Sequence, residues 1–411
     1  MKIVGLITEY NPFHNGHKYH IEQALKITGS DAAVIIMSGN YVQRGEPAIL
    51  PKHLRAEIAL KCGAAAVFEL PVCYATGSAE FFALGAISFL ENLGCIDSIC
   101  FGTESADLDS LKTVAKILCE EPEHYRTLLQ KYMKAGNSYP LARQKALSES
   151  TDNPSLASFL ELPNNILGIE YLKALYRLKS KIIPYALQRI GAGYHTLDLN
   201  LAYPSASGIR ALLAETDRVT PDILNPFVPQ EAVSLFTSKW NTRYPAFADD
   251  YSLLLKYKLL SMSSEQLTEY MDISEDLANR ILKYRNHLVT FRQFCDLIKT
   301  KQLAYTRVSR ALLHILLDIR KQDMEIYQQQ IFHGYARLLG FRKDTAGFLT
   351  IAKGKSRIPI LSRLAAGNEI EEPFQTMLKH DIFASNLYES ILTEKFKTPF
   401  INEYEHPVVR I

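Results

Sequence analysis

The stretch that decides the fold lies at the start of the chain and reads Ile3-Val4-Gly5-Leu6-Ile7-Thr8-Glu9-Tyr10-Asn11-Pro12-Phe13-His14-Asn15-Gly16-His17. Its apolar run, residues 3–7, predicts a buried strand that ends before the Asn-Pro pair. Residues 15–27 then have the apolar spacing of a helix, so both histidines lie at the turn from strand to helix. A strand followed at once by a helix indicates the first unit of an α/β fold.

This turn is suited to bind phosphate. A helix N-terminus has free backbone N–H groups and a partial positive charge, so it attracts anions. His14 and His17 can donate hydrogen bonds to phosphate oxygens, and Gly16 lets the backbone come close. We therefore predict a nucleotide-phosphate site in which both histidines are catalytic and stabilise charge on the phosphates. The alternative is that they are ordinary capping or surface residues.

Length and composition indicate the class of protein. A chain of 411 residues exceeds what one core usually organises and predicts two or three domains. The sequence is 47% hydrophobic and 22% charged, with no run of about 20 apolar residues and no secretory signal, so we expect a cytoplasmic protein without a membrane partner. The six cysteines form no Cys-x-x-Cys pair, which favours reduced core residues over a metal site.

Further apolar runs continue the pattern of the first strand. Residues 32–37, 65–70, 96–101 and 182–187 read as buried strands separated by helical stretches. Alternation of this kind predicts a doubly wound parallel sheet, in which ligands bind at the carboxyl ends of the strands. The loop of residues 38–47 and Gly102 follow two of these strands, so both are candidate parts of the site.

A second phosphate-binding element follows the fifth strand. After the segment 188–195, Ser205, Ser207 and Gly208 open a helix that carries Arg210. Hydroxyls at a helix start supply caps, and the arginine adds a fixed positive charge. The alternative is a plain capped helix. Together with His-x-Gly-His, this element resembles the two phosphate-binding segments of enzymes that transfer a nucleotidyl group from ATP with release of pyrophosphate, a class that includes small nucleotidyltransferases and class I aminoacyl-tRNA synthetases.

The chain beyond residue 218 changes character. We predict three domains: 1–218, an α/β nucleotidyltransferase-like catalytic domain; 219–330, a helical domain; and 331–411, a small mixed α/β unit docked on the helices. The helical part interleaves tyrosines with basic residues, a composition that suits a nucleic-acid backbone. An ordinary packing or dimerising bundle is the alternative. In the last unit, residues 348–351 read as a strand.

Three segments carry a sharper resemblance: the opening residues 5–17, Ser-Gly-Asn-Tyr-Val-Gln-Arg-Gly-Glu-Pro-Ala at 38–48, and Pro-Asn-Asn-Ile-Leu-Gly-Ile-Glu-Tyr at 163–171. The chain resembles the tRNA(Met) cytidine acetate ligase family, closely over about the first 215 residues and more loosely to the end. This resemblance implies an enzyme that activates acetate with ATP as acetyl-adenylate. It then acetylates the exocyclic amine of the wobble cytidine of elongator tRNA(Met), and Mg²⁺ normally bridges the ATP phosphates in such chemistry.

The resemblance and the second phosphate element together give a set of expected ATP contacts: Ile7, Thr8, Glu9, Tyr10, Asn11, Pro12, Phe13, His14, Asn15, Gly16, His17, Lys18, Tyr19, His20, Gly102, Asn165, Arg189, Ser205, Ser207 and Arg210. Asn165 is favoured over its neighbour Asn164. A base taken from an anticodon loop can stack on aromatic or arginine side chains. The candidate RNA contacts are Tyr41, Arg44, Tyr194, Arg307 and Arg310. For the first three, a purely structural role in their loops is the alternative.

Two other functions fit part of the sequence. One is a nucleotidyltransferase that adenylylates a small phosphorylated metabolite, but such enzymes need little beyond the sheet domain. In addition, small nucleotidyltransferases usually have aspartate where this chain has Asn11, which we expect to bind an acyl-phosphate or a ribose. The other is a non-catalytic, nucleotide-responsive RNA-binding protein. The intact histidines argue against this function.

Overall fold

A central sheet of eight strands organises the molecule, which we describe from a computed structural model covering residues 1–151, 153–189, 205–330 and 333–411. Two further strands form a separate hairpin. In chain order the strands are β1 (Ile3–Thr8), β2 (Ala32–Ser38), β3 (Tyr41–Val42), β4 (Glu46–Pro47), β5 (Ala66–Leu70), β6 (Ser98–Thr103), β7 (Ile183–Gln188), β8 (Ala336–Phe341), β9 (Ile360–Leu361) and β10 (Val409–Arg410).

The order of strands in the sheet is β10-β8-β5-β2-β1-β6-β7, and β9 also pairs with β8. From β5 to β7 all neighbours are parallel, which confirms the predicted α/β sheet. Strand β8 runs antiparallel to β5, so the whole sheet is mixed and mostly parallel. The chain winds outward in one direction from β1 to β5 and in the other from β6 to β7. A ligand cleft is expected where the order reverses, between β1 and β6.

Both faces of the sheet are covered, because alternate residues of each strand point to opposite sides. One face packs against the helices of residues 15–28, 52–61, 206–214 and 230–239, through strand residues such as Val4, Leu6 and Ile35. The opposite face packs against the helices of residues 79–93, 108–120 and 163–177, through Ile3, Val34 and Ile36. Near-continuous apolar strands are what burial on both faces requires.

The helices that accompany the sheet have these bounds: α1 (Asn15–Thr28), α2 (Lys52–Lys61), α3 (Val72–Ala75), α4 (Ala79–Leu93), α5 (Leu108–Glu120), α6 (Glu123–Lys134), α7 (Tyr139–Ser150), α8 (Pro163–Arg177), α9 (Ala206–Ala214), α10 (Pro221–Leu224) and α11 (Gln230–Lys239). The predicted helix after the first strand is therefore present, and so is the helix that follows the second phosphate element. A 3₁₀ helix, Pro154–Leu160, precedes α8.

The middle of the chain is helical, as predicted. Its elements are α12 (Ser252–Ser261), α13 (Ser264–Thr268), α14 (Glu275–Tyr284), α15 (Phe291–Ile298), α16 (Tyr305–Leu317) and α17 (Lys321–Gln329). Helix α16 ends at Leu317, where Asp318 takes a left-handed conformation at φ 57°. The apolar sides of these helices join the larger of two hydrophobic clusters.

The C-terminal segment differs from expectation in two respects. Residues 348–351, predicted as a strand, lie in α18 (Gly347–Lys355), where Phe348 and Ala352 are buried on one side at helical spacing. Strand β8 pairs with β5 of the main sheet, so this segment extends the catalytic sheet. The long helix α19 (Phe374–Phe396) packs on the same cluster as the middle helices. The domain boundaries at 218 and 330 stay predictions.

The sequence led us to expect no membrane-spanning segment and reduced cysteines in the core. Within the described residues, none of the helices is long and apolar enough to cross a membrane. All six cysteines carry free thiols, and five of them are buried.

The hairpin of β3 and β4 connects the middle helices to the sheet. The Ser309 hydroxyl of α16 donates a hydrogen bond of 2.8 Å to the Gly45 carbonyl oxygen. Gly45 has φ +80°, and a Cβ atom placed there would lie 2.3 Å from the Arg310 backbone nitrogen. Both the backbone conformation and the close approach of α16 therefore require glycine at this position.

We expect Gly45→Ala to destabilise the protein more than Gly136→Ala does. Gly136 also has a positive φ, +82°, but a Cβ there meets nothing within 4 Å. The shared backbone strain costs about 1–3 kcal/mol, and the clash with α16 adds about 1–3 kcal/mol at Gly45 alone. Urea unfolding of both variants measures the difference, and equal losses of stability would contradict the contact.

Candidate active site

A cleft lies at the carboxyl ends of β1, β6 and β7, beside the reversal of strand order. It is formed by the turn after β1, the first turns of α1 and α9, and the ends of β6 and β7. Most of the expected ATP contacts line it: Ile7, Thr8, Glu9, Tyr10, Asn11, His14, Gly16, His17, Tyr19, His20, Gly102, Arg189, Ser205, Ser207 and Arg210.

The two histidines cap the helix that they begin. Nδ1 of His14 accepts a hydrogen bond of 3.1 Å from the Gly16 N–H. Nδ1 of His17 accepts one of 3.2 Å from the His14 N–H, and the two rings stack with centroids 3.7 Å apart. A ring nitrogen that accepts from a backbone N–H carries no proton, so each neutral ring has its proton on Nε2. Each histidine therefore has one donor left for a ligand.

Both rings are neutral in this structure. Burial, together with the nearby charge of Arg189, lowers the pKa of His14 to about 3. Burial lowers the pKa of His17 well below its ordinary value, and its neighbours His14, Arg189 and His20 add to the effect. The histidines consequently act as neutral hydrogen-bond donors, while the positive charge of the cleft comes from arginine.

Helix α9 presents a second N-terminus to the same cleft. The Ser205 hydroxyl oxygen accepts a hydrogen bond of 3.1 Å from the Gly208 N–H, which is an N-cap as predicted. Nη1 of Arg210 donates to the Asn11 carbonyl oxygen at 2.7 Å, and its Nη2 lies 3.3 Å from the Ser207 hydroxyl oxygen. Two helix N-termini and a fixed arginine thus converge where an anion would bind.

Arg189 supplies charge from the opposite wall. Its backbone N–H donates to the Thr103 carbonyl oxygen at 2.9 Å, which continues the ladder between β6 and β7. The side chain passes over Gly102, where a Cβ atom would lie 3.2 Å from the Arg189 Cγ. Glycine at this strand end therefore gives the arginine room to lie along the cleft.

Of the two neighbouring asparagines, Asn164 lines the cleft in this structure, whereas the favoured Asn165 does not, and which of them contacts ATP stays a prediction. Asn164 lines the cleft, and its Oδ1 lies 3.5 Å from Nη1 of Arg189. Asn165 is 1% exposed, and its Oδ1 accepts from the Glu104 N–H at 3.0 Å. Adjacent helical positions point about 100° apart, so one asparagine turns to the cleft and the other to the core.

The comparisons with known proteins agree with this geometry. A family model described as HIGH nucleotidyl transferase matches residues 1–402. The tRNA(Met) cytidine acetate ligase of Acetivibrio thermocellus is 39% identical over 94% of each chain. That of Clostridium novyi is 40% identical over 95% of this chain and 96% of its own. The chain belongs to the tRNA(Met) cytidine acetate ligase family of HIGH nucleotidyltransferases.

Solved structures of this family have the same fold. The apo crystal structure of Thermotoga maritima TmcAL is 30% identical and covers all of both chains, with a TM-score of 0.94. A second crystal form of that protein, bound with alpha-thio ATP, gives a TM-score of 0.91 at the same identity and coverage. The nucleotidyltransferase fold expected from the opening motif is thereby confirmed.

Some expected ATP contacts of the family motif lie outside the cleft. Phe13 is in the core beneath α1. The Asn15 side chain donates to the Pro226 carbonyl oxygen at 3.2 Å, and Lys18 forms an ion pair with Glu231. Pro12 and Asn165 do not line the cleft either. In this structure these residues support the turn and do not face the ligand space.

Asn11 has a structural role that differs from the expected one. Its side-chain Oδ1 accepts a hydrogen bond of 2.7 Å from the Ile49 N–H, and the residue is 4% exposed. The side chain therefore fixes the chain that leads into α2 instead of reaching a ribose or an acyl group.

The structure separates the candidate RNA contacts into buried and exposed ones. Tyr41 is fully buried, with its hydroxyl 3.2 Å from that of Tyr251, so its ring does not face solvent in this structure and its stacking on a base stays a prediction. Arg310 is 9% exposed and pairs with Asp272 at 2.7 Å, so it too is a structural residue. Arg307 is exposed and Arg44 half-buried, while Tyr194 lies outside the described residues.

Several lining residues were missed. Gln43 lies in the loop after β2, which was noted for its polar composition but not resolved to this residue. Phe82, Leu167 and Tyr171 come from α4 and α8 and form the apolar wall. An apolar residue of a helix carries no sign in the sequence that it faces a ligand, so only the fold identifies this wall.

We expect the His14→Gln variant to lose less free energy of unfolding than the wild type as the pH falls. The unfolded chain binds a proton on histidine below about pH 6.5, whereas folded His14 stays neutral to about pH 3. Below pH 6.5 the unfolded state therefore binds more protons, and stability falls as the pH falls. Between about pH 7.5 and about pH 5 the wild type should lose about 2 kcal/mol more than the variant.

Urea unfolding at the two pH values measures this difference. His124→Gln, at an exposed position, is the matched control and should lose as much stability as the wild type. An equal acid loss in wild type and His14→Gln would mean that His14 is not buried in its neutral form.

Proposed function

We propose that this enzyme activates acetate with ATP as acetyl-adenylate and then acetylates the exocyclic amine of the wobble cytidine in elongator tRNA(Met). The observation that supports this most is the convergence of His14, His17, Arg189 and Arg210 on one cleft in a chain whose relatives are tRNA(Met) cytidine acetate ligases. Because its RNA substrate is cytoplasmic, we assign the reaction to the cytoplasm.

ATP binding follows from the two helix N-termini. The triphosphate would lie between the first turns of α1 and α9, where free N–H groups and helix dipoles favour negative charge. His14 and His17 donate from Nε2, and Arg189 and Arg210 supply the two fixed charges on either side. A neutral histidine already has the donor proton on Nε2 and needs no second proton. ATP binding should therefore not depend on histidine titration near neutral pH.

In the first step an acetate oxygen attacks the α-phosphorus of ATP. A bond forms between that oxygen and phosphorus, the bond to the bridging oxygen of the β-phosphate breaks, and pyrophosphate leaves with the electron pair. Charge accumulates on the departing phosphates, which is where preorganised donors lower the barrier most. His14, His17 and Arg210 are placed to do this, and no nucleophile of the protein is required.

In the second step the cytidine amine attacks the carbonyl carbon of acetyl-adenylate and forms a C–N bond. The bond from that carbon to the phosphate oxygen breaks, AMP leaves with the electron pair, and the nitrogen gives up one proton to solvent. The amine is a weak nucleophile because its lone pair is delocalised into the ring, so alignment is the main contribution of the protein. A single-stranded anticodon loop can present the base at little cost. The β3–β4 hairpin borders the cleft at Gln43 and carries Arg44, which makes this side the route we propose for the tRNA.

Mg²⁺ is the expected companion of ATP. In such sites it keeps several waters and is held by phosphate oxygens with one or two carboxylates. Within the described cleft lining, Glu9 is the carboxylate suited to this role, although the Gln43 N–H already donates to its Oε1 at 2.8 Å. When bound, the ion would neutralise charge on the phosphates.

The first test is acetate-dependent exchange of labelled pyrophosphate into ATP. Wild type should exchange, and His17→Gln should lower the rate by about 10²–10³-fold, because one preorganised donor to the reacting phosphates is lost. His124→Gln, remote from the cleft and exposed, is the control and should exchange at the wild-type rate.

Two results would contradict the proposal. Exchange that does not require acetate, but proceeds with a phosphorylated metabolite, would support a metabolite nucleotidyltransferase. Binding of ATP and tRNA without turnover under any condition would support a non-catalytic RNA-binding protein.

Arg307 and Arg310 test the tRNA route as a pair. Exposed Arg307 is free to meet a phosphate, so Arg307→Gln should weaken tRNA binding for every RNA sequence and reduce the salt dependence of log affinity by about 1. Arg310→Gln breaks the ion pair with Asp272 and should lower the unfolding midpoint instead. Filter binding across salt concentrations and thermal unfolding distinguish the two. Unchanged tRNA binding by Arg307→Gln would exclude this part of α16 from the contact.

A further inference from the structure

A second cavity lies outside the catalytic cleft, at the outer edge of strand β8. The short strands β9 and β10 pair with opposite ends of β8, and the cavity opens between them. The charged residues and histidines of its lining are His53, Arg337, Arg363, Glu405, His406 and Arg410. Nothing in the proposed acetyl transfer uses these residues.

Arg337 lies at the buried side of this cavity. The residue is 5% exposed, with Nε 3.3 Å from Oε2 of Glu69 and Nη2 paired with Glu403. Its third nitrogen, Nη1, is buried and has no hydrogen-bond partner among the residues that the structure describes. A buried guanidinium N–H without a partner is costly, and Arg337 is one of the residues that line the cavity.

A second cation, Lys52, contacts both carboxylates that lie near Arg337. Nζ of Lys52 lies 2.6 Å from Glu69 and 2.9 Å from Glu403, so two cations share these two carboxylates. At the rim, exposed Arg363 and Arg410 add two positive charges and Glu405 one negative charge. The cavity therefore has an excess of positive charge.

A metal ion is the rival occupant. Ligand atoms of His53, Glu403 and His406 lie within 4.8 Å of one another, which is a possible cation cluster. However, the Glu403 carboxylate is in contact with both Lys52 and Arg337, so a divalent cation there would meet two positive charges at close range. The two imidazole rings also stack on each other, with centroids 4.3 Å apart. These contacts favour an anion over a cation.

We propose that this cavity binds a phosphate group, with Arg337 as the buried donor and Arg363 and Arg410 as rim donors. Guanidinium groups match phosphate oxygens in geometry and keep their charge when buried. The phosphate comes either from an RNA backbone or from free phosphate or pyrophosphate. Strand β8 is three strands from β1, about 14 Å at the usual strand spacing.

Calorimetry with inorganic pyrophosphate tests the site directly. The full-length protein is first saturated with a non-hydrolysable ATP analogue, so that the catalytic cleft is filled. One equivalent of pyrophosphate should still bind, and Arg363→Gln and Arg410→Gln should each weaken it by about tenfold. Arg337→Lys keeps a charge beside Glu69 but removes Nη1, and it should weaken binding similarly. Arg357→Gln, at an exposed arginine outside the cavity lining, should bind as wild type.

The same variants with a tRNA(Met) transcript identify the source of the phosphate. A salt dependence reduced by about 0.7–0.9 in Arg363→Gln, but not in Arg357→Gln, supports an RNA backbone phosphate. Weakened pyrophosphate binding with unchanged tRNA binding supports a free anion. Because the calorimetry does not involve acetyl transfer, its result is independent of the proposed function.

Two outcomes overturn the proposal. One is that the purified protein binds no pyrophosphate beyond the cleft and that the rim variants bind tRNA as wild type does. The other is a stoichiometric transition metal in the purified protein that His406→Ala releases, which would assign the cavity to a cation.

Discussion

The hydrogen bond from the Gly16 N–H to Nδ1 of His14 is the interaction on which the site depends. It caps α1, and it also fixes the tautomer that leaves Nε2 as a donor. The partner bond from the His14 N–H to His17 does the same for the second ring. The capping hydrogen bonds therefore also orient the two donors that we propose for phosphate recognition. A substitution that frees either ring removes both the cap and the oriented donor, which explains why two histidines stand where serine or aspartate would cap a helix equally well.

The sequence predicted what depends on local pattern. The parallel strands were located to within about two residues, because burial on both faces demands unbroken apolar runs. The cleft followed from the rule that ligands bind at strand ends. Residues 348–351 were misassigned because a short apolar run fits a strand and a buried helix segment equally well. The burial of Tyr41 and the ion pair of Arg310 could not be predicted for a different reason. Their partners, Tyr251 and Asp272, are distant in the sequence, and no local pattern reveals such contacts.

The C-terminal segment is part of the catalytic sheet in energetic terms as well as in topology. Lys52, at the start of α2, is fully buried and touches Glu69 of β5 and Glu403 near the C-terminus. Arg337 of β8 contacts the same two carboxylates. Removal of either end of the chain would leave buried charges without partners, which is far more costly than the loss of a surface ion pair. A domain boundary at residue 330 would therefore separate Lys52 and Glu69 from Arg337 and Glu403 in the sequence, although these four residues form one buried network.

The β3–β4 hairpin is the element that the ATP cleft and the middle helices share. On its cleft side the Gln43 N–H donates to Glu9, and Glu46 lies 3.5 Å from Arg210. On its other side Gly45 packs against the backbone of α16 at a distance that admits no side chain. A ligand that shifts α16 must also move the hairpin, because the two backbones are in close contact and packed elements do not deform continuously. The same movement would change the surroundings of Glu9 and Arg210, so the RNA contact that we propose on α16 and ATP in the cleft would act on the same short segment of backbone.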